Sequence, residues 1–142
     1  MNAQDLKDFK IDNFPASEWT NSGAKLEDVN ICTAVCLQKF RLDIDEVVDI
    51  LHNGVTSGKH SARAHPEGRA VDVFVHNVID PMDIVISACN VGFTAVGVYY
   101  CEETGLYTFH LEIGPRRFWR GWKKKKSDSW TFYSTAGWGK EE

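Results

Sequence analysis

The chain has no apolar run long enough to cross a bilayer, which excludes a helical membrane span. Its start, Met1 to Lys10, is polar and charged and lacks the apolar stretch of a secretory signal, so synthesis in the cytoplasm is expected. The four cysteines, Cys32, Cys36, Cys89 and Cys101, form no Cys-x-x-Cys pair and no zinc-knuckle spacing. They are expected to be reduced and structural; a disulfide involving Cys89 or Cys101 is the alternative. Charge of one sign is also missing. Twenty acidic against sixteen basic residues leave a net charge of −4, which is not the balance of a generic nucleic-acid binder. There is no fixed-period repeat and no low-complexity tract. What remains is a 142-residue chain of ordinary globular composition, read as a single domain over 1–142.

Its elements follow from periodicity and punctuation. Residues 1–24 read as an irregular lead-in, broken at Phe14-Pro15 and Asn21-Ser22-Gly23. Helical spacing of Val29, Cys32, Cys36, Leu37 and Phe40 predicts a helix over 26–41. Residues 47–51 read as a short strand, 53–69 as a loop, and the β-branched run 70–75 as a strand carrying Asp72. Asp80-Pro81-Met82-Asp83 is a helix start, with a cap, a proline at the first helical position and an acid at the positive end of the dipole. That helix should run to about Asn90 and stop at Gly92. Residues 94–100 and 106–113 then form a hairpin around Glu102-Glu103-Thr104-Gly105. The expected fold is a small α+β domain, with helices on one face of a mainly antiparallel sheet.

Two histidines and a carboxylate stand out on this framework. Strand alternation puts Ala70, Asp72 and Phe74 on one face, and Thr108, His110 and Glu112 on one face of the later strand. Phe109 and Leu111 point the other way, into the core. His65 lies on the loop that enters the Asp72 strand, where Pro66 and Gly68 shape a turn back toward that carboxylate. Two imidazoles and one carboxylate suit a catalytic Zn²⁺, which takes three protein ligands and keeps a position for water. His52 and His76 are read as surface histidines.

At these residues the chain resembles the zinc D-alanyl-D-alanine carboxypeptidases, a family that includes VanX-type dipeptidases and phage L-alanyl-D-glutamate endolysins and is related in fold to the hedgehog signalling domain. The family pattern HxxGxAxD is matched at its fixed positions by His65-Pro66-Glu67-Gly68-Arg69-Ala70-Val71-Asp72, and the later His-x-acid by His110-Leu111-Glu112. One subgroup is similar over more of the chain. Phe14-Pro15-Ala16-Ser17-Glu18 resembles its opening segment, and Ser57-Gly58 its Ser-Gly turn. Val91-Gly92 through Gly97-Val98-Tyr99 is similar in part to its Gly-x-Gly-x-Tyr strand, and the run from His110 through Gly114 and Arg116 to Trp119 closely resembles its closing motif. The resemblance spans about 12–120, leaving 121–142 as a basic and aromatic extension.

The resemblance implies a hedgehog- or D-Ala-D-Ala-peptidase-like fold, with His65, Asp72 and His110 as zinc ligands. It implies a metallopeptidase of D,D or L,D type that cuts the peptidoglycan stem peptide, as carboxypeptidase or endopeptidase. No signal segment fits a phage or prophage lysis enzyme that reaches the cell wall once released, and a monomer is expected. The sequence departs from many relatives at the catalytic acid, since Tyr107 stands three residues before His110. The alternatives for the general base are Glu112, on the His110 face, and Glu102 or Glu103 in the hairpin turn, with Glu103 preferred of those two. Glu112 is equally readable as a carboxylate that orients a histidine ligand. Relatives carry a substrate-contacting arginine before the first histidine; Arg63 is the candidate here, with Lys59 and His60 nearby. The alternative function is a non-catalytic zinc module of the same fold, for binding or structure, within a phage particle.

The run Arg116-Arg117-Phe118-Trp119-Arg120-Gly121-Trp122, followed by Lys123 to Lys126, interleaves bases with aromatics. One reading is an anionic partner, nucleic acid or cell-wall polymer, bound through phosphates or stacking. The preferred one is that Phe118, Trp119 and Trp122 pack on the core beneath a solvated lysine loop, with no specific nucleic-acid partner. Trp130, Phe132, Tyr133 and Trp138 suggest a further strand.

Overall fold

A computed structural model describes residues 1–57 and 64–134. In chain order the elements are helices α1 (Ala3–Asp8) and α2 (Ala16–Asn21), a 3-10 turn (Leu26–Asp28), helix α3 (Ile31–Ile44), strands β1 (Val48–Ile50) and β2 (Ala70–Val75), helix α4 (Pro81–Val91), and strands β3 (Ala95–Cys101), β4 (Leu106–Glu112), β5 (Arg117–Lys123) and β6 (Thr131–Ser134). The strands form a six-stranded sheet in the order β1-β2-β4-β3-β5-β6. Every pairing is antiparallel except β3 with β5, which is parallel. This is the α+β architecture expected. No described helix is long and apolar enough to cross a membrane.

Alternation divides the sheet into two faces. Val71, Val73, Val75, Val96, Val98, Phe109 and Leu111 are buried in one core with Leu37 and Phe40 of α3 and Ile84, Val85 and Ala88 of α4. The opposite face carries Asp72, Gly97, Tyr99, His110 and Trp119, as the strand registers require. Helices thus cover one face and polar chemistry occupies the other.

Helix α4 forms as its punctuation predicts. The Asp80 side chain accepts from Met82 N at 3.0 Å, and Gly92 ends the helix at φ 119°. The lead-in is not irregular: it contains α1 and α2. Asn2 and Asp5 cap α1 reciprocally, and Phe14 and Trp19 are fully buried, with the Trp19 indole donating to Phe14 O at 3.0 Å. Two large aromatic anchors in a short segment outweigh the breakers Pro15 and Gly23. The next helix also starts later than its apolar spacing suggests. Asn30 accepts from Cys32 N at 2.9 Å and makes Ile31 the first residue of α3. Its buried side is Thr33, Ala34, Leu37, Gln38 and Phe40, so Cys32 is exposed and Val29 is buried from the preceding turn. All four cysteines are free.

The basic aromatic run is strand β5 as far as Lys123, and Lys124 to Lys126 lie exposed in the turn beyond it, as expected of a solvated lysine loop. Phe118 packs against the core, Trp119 lies on the polar face, and Trp122 is exposed. Strand β6 supplies the further strand expected from Phe132 and Tyr133; Trp138 lies outside the described residues.

Candidate metal centre

The turn that carries His65 is anchored at Gly68. Gly68 N donates to His65 O at 2.9 Å, and Arg69 N to Ala64 O at 2.8 Å. Gly68 has φ 70°. A Cβ there would stand 2.0 Å from Asp28 O and 2.8 Å from Asn30 N. The close approach lets Gly68 O accept from Asn30 N (3.0 Å) and from the Thr33 hydroxyl (2.8 Å). The turn is thereby docked on the start of α3, and His65 is aimed at the sheet with 2% of its surface exposed.

Asp72 on β2 and His110 on β4 are direct register partners and share a face. His65 Nε2 lies 3.0 Å from His110 Nδ1 and 3.4 Å from Asp72 Oδ1; His110 Nδ1 lies 3.1 Å from the same oxygen. The ligand atoms of these three residues all fall within 4.8 Å of one another, and the group could hold a metal ion.

The outer nitrogens determine what the inner ones can do. His65 Nδ1 faces the Val55 carbonyl at 2.8 Å, and a carbonyl only accepts, so that nitrogen carries the hydrogen. His110 Nε2 faces Glu112 Oε1 at 2.8 Å and is fixed in the same way. In the neutral imidazoles both inner nitrogens are then lone pairs, and they converge with the Asp72 carboxylate. Three acceptors with no donor between them demand a cation: an extra proton or a metal.

The titration of the site reflects this. Burial opposes ionisation of Asp72, but hydrogen bonds and charge from His110 and His65 hold its carboxyl down at about 2. Burial likewise opposes charging of His110, but hydrogen bonds to Asp72 and Glu112 and their charge raise it above its ordinary 6.5. The hydrogen bond from His110 lowers Glu112 against the opposing effect of burial. In metal-free protein the His110 contacts therefore contribute stability below pH 6.5 that fades as pH rises through the raised folded value. The Asp72 contacts contribute above its ordinary 3.8 and are lost as pH falls through about 2. Urea midpoints of chelator-treated protein should be highest between these limits and fall toward alkaline pH. Added zinc should remove the alkaline loss, and equal alkaline slopes with and without zinc would contradict this account.

Glu112 is 4% exposed and sits on the far nitrogen of His110, away from the three inner ligand atoms. That is the position of a carboxylate that orients a ligand. Arg117 approaches it at 3.6 Å. Glu103 is fastened elsewhere: its carboxylate accepts from Lys126 N at 2.6 Å, in a turn beyond Leu106. Leu106 itself is about 13 Å from His110 along an extended strand. Tyr107 points to the other face, with its ring against Tyr100 at 4.7 Å. Among the described residues, Asp72 and Glu112 are the carboxylates in hydrogen-bond contact with the two histidines. Arg63, Lys59 and His60 lie outside the described residues. His76 pairs with Asp49 at 2.7 Å on the surface.

Aromatic side chains complete one side of the site. The Trp119 ring lies over Gly97, the register partner of both His110 and Trp119, where a Cβ would meet the indole at 2.5 Å. It also meets the His110 ring at 5.0 Å between centroids. The Arg117 guanidinium stacks on Trp119 at 4.5 Å, and the Trp119 indole donates to the Tyr99 hydroxyl at 2.9 Å. Tyr99 and Arg117 were not readable as site residues, because β5 crosses to the far side of β3 and nothing local announces that register. A signal was nevertheless present: alternation of Arg117, Trp119 and Gly121 opposite a glycine-bearing strand.

No protein-family profile, no curated protein and no solved structure matches this chain.

Proposed function

We propose that the chain is a zinc metallopeptidase that hydrolyses a peptide bond of the peptidoglycan stem, in the setting of a phage or prophage lysis enzyme. The observation that carries the metal reading is the convergence of two bare imidazole nitrogens and the Asp72 carboxylate, each imidazole held by an acceptor on its far side. Two nitrogens and one oxygen are donors that zinc accepts readily. When bound, zinc supplies Lewis acidity toward a carbonyl and brings the pKa of water near neutrality. Peptide as substrate rests on the resemblance of His65 to Asp72 and of His110 to Glu112 to the peptidase pattern.

The chain's own groups divide the remaining work. His65, Asp72 and His110 hold the ion. Glu112 keeps the Nδ1 lone pair of His110 facing inward, and Trp119 excludes water from one side of that ring. Glu112→Gln keeps an acceptor for His110 Nε2 but removes its charge. Zinc affinity should fall roughly 10- to 100-fold, as for other outer partners of metal-bound histidines, in competition with a chromogenic chelator. Unchanged affinity with lost hydrolysis would instead make Glu112 the base.

A second reading is a zinc-holding module without catalysis. It is favoured by one observation: Glu112 and Glu103 are both engaged elsewhere, with Glu112 behind His110 and Glu103 on Lys126 N. Digestion of purified muropeptides with the zinc-loaded protein, followed by mass spectrometry, separates the two readings. A peptidase yields a new free amine or released D-alanine. Stoichiometric zinc with no such product assigns the module.

A further inference from the structure

Tyr99 lies on the sheet face that carries Asp72 and His110, and its hydroxyl is held by the indole whose ring meets His110. An indole N–H can only donate, so the 2.9 Å bond from Trp119 Nε1 fixes the Tyr99 oxygen as the acceptor. The Tyr99 O–H hydrogen has no hydrogen-bond acceptor among the described residues. The support is itself held in place. The Trp119 indole, including its Nε1, would lie within 2.7 Å of a Cβ at Gly97, so it rests directly on the backbone opposite His110. The Tyr99 ring in turn covers Gly121, where a Cβ would meet it at 2.6 Å. Two glycines thus admit two rings that brace each other on the polar face, next to His110. Tyr99 is partly exposed, with the rings of Trp130 and Phe132 packed edge-on against its own. Burial raises its phenol above the ordinary 10, against the Trp119 hydrogen bond, so it remains a protonated donor at neutral pH.

We infer that Tyr99 is the hydrogen-bond donor to the anionic oxygen of a ligand at the metal site, and that Trp119 is the residue that positions it. For a peptide substrate this oxygen is the scissile carbonyl oxygen, on which negative charge develops as the carbon becomes tetrahedral. Tyr99 donates a hydrogen bond and transfers no proton. The inference rests on the metal reading above, but it concerns any oxyanion bound there. A preorganised donor of this kind favours the charged state over the neutral one.

The test uses zinc-loaded full-length protein, with inorganic phosphate as the probe in isothermal titration. A neutral donor to a charged oxygen predicts about 10-fold or more weaker phosphate binding in Tyr99→Phe, with zinc content and melting temperature unchanged. Trp119→Phe keeps a ring over Gly97 but loses the N–H; it should give a smaller loss. Equal phosphate affinity in wild type and Tyr99→Phe, with zinc retained, overturns the inference. If Tyr99→Phe loses zinc or fails to fold, the ultraviolet difference spectrum of wild type on phosphate addition decides. A shifted tyrosine band supports the donor role, and no shift overturns it. If hydrolysis is observed, Tyr99→Phe should lower kcat roughly 10²- to 10³-fold with little change in KM. Phosphate binding through Tyr99 without any hydrolysis would overturn the peptidase reading and leave this inference standing. A wild type that holds no zinc overturns both.

Discussion

Alanine at His110 is expected to weaken zinc binding by a factor on the order of 10²–10³ and to abolish any hydrolysis. Structural zinc sites of four ligands bind with about 10–16 kcal/mol, roughly 2.5–4 kcal/mol for each ligand, and each 1.4 kcal/mol is tenfold. His110 is also the residue whose loss is felt most widely. Its ring touches Trp119, faces Asp72 with one nitrogen and holds Glu112 with the other. Removing it leaves the buried Glu112 carboxylate without its 2.8 Å partner, so the metal-free variant should lose about 1–3 kcal/mol in urea unfolding as well. His65→Ala should lose zinc to a similar degree. Metal analysis after dialysis, with chelator competition for affinity, gives the answer. Full zinc occupancy in His110→Ala would place the metal elsewhere on the chain.

Gly68→Ala should be the most damaging glycine-to-alanine change among the described residues. Alanine at φ 70° costs roughly 1–2 kcal/mol from backbone sterics alone. The larger part comes from the carbonyl of Asp28, which a Cβ would approach to 2.0 Å. Backbone cannot rotate out of the way, so the turn has to lift from α3. It then surrenders the bonds that Gly68 O accepts from Asn30 N and Thr33 Oγ1, leaving buried groups unmatched at about 1–3 kcal/mol. A total near ~4 kcal/mol is expected, with weaker zinc binding because His65 moves with the turn. Gly105→Ala is the control: it has φ 67° but nothing within 4 Å of its Cβ, so only the backbone cost of about 1 kcal/mol remains. Similar losses at the two glycines would show that the approach to Asp28 carries little.

What could be read from the amino acids alone was mainly what alternation and capping encode. Asp80-Pro81 and Gly92 delimit α4 because cap, proline and left-handed glycine act locally. Asp72 and His110 fell on one face because strand period is local too, and the register then brought them opposite each other. Asn30 shows the limit of apolar spacing: the cap moved the helix start past residues whose pattern looked helical. The helices of the lead-in are not legible locally, because the burial of Phe14 and Trp19 depends on partners distant in sequence. Glu112 illustrates a finer boundary. Its face was legible, but which nitrogen of His110 it would meet is a matter of side-chain direction within the assembled sheet. Tyr99 and Trp119 were visible as motif positions, but that they meet beside His110 was not, for the same reason on a larger scale. Their meeting requires β5 to lie beside β3, a parallel pairing no local signal encodes.

Sheet order also determines how this site would wear out. Asp72 on β2 and Trp119 on β5 each lie one strand in from an edge, but in zinc-loaded protein the ion would tie β2 to β4 and to the His65 turn, whereas no ligand holds β5. Structure opens most easily at edges, where fewest neighbours must be given up. Mild heat or denaturant should therefore peel away the aromatic wall while the ion stays gripped. A sample in that condition would still assay as fully metallated, yet its reactive surroundings would already be gone. Metal content would then be a poor measure of how much competent protein a preparation contains.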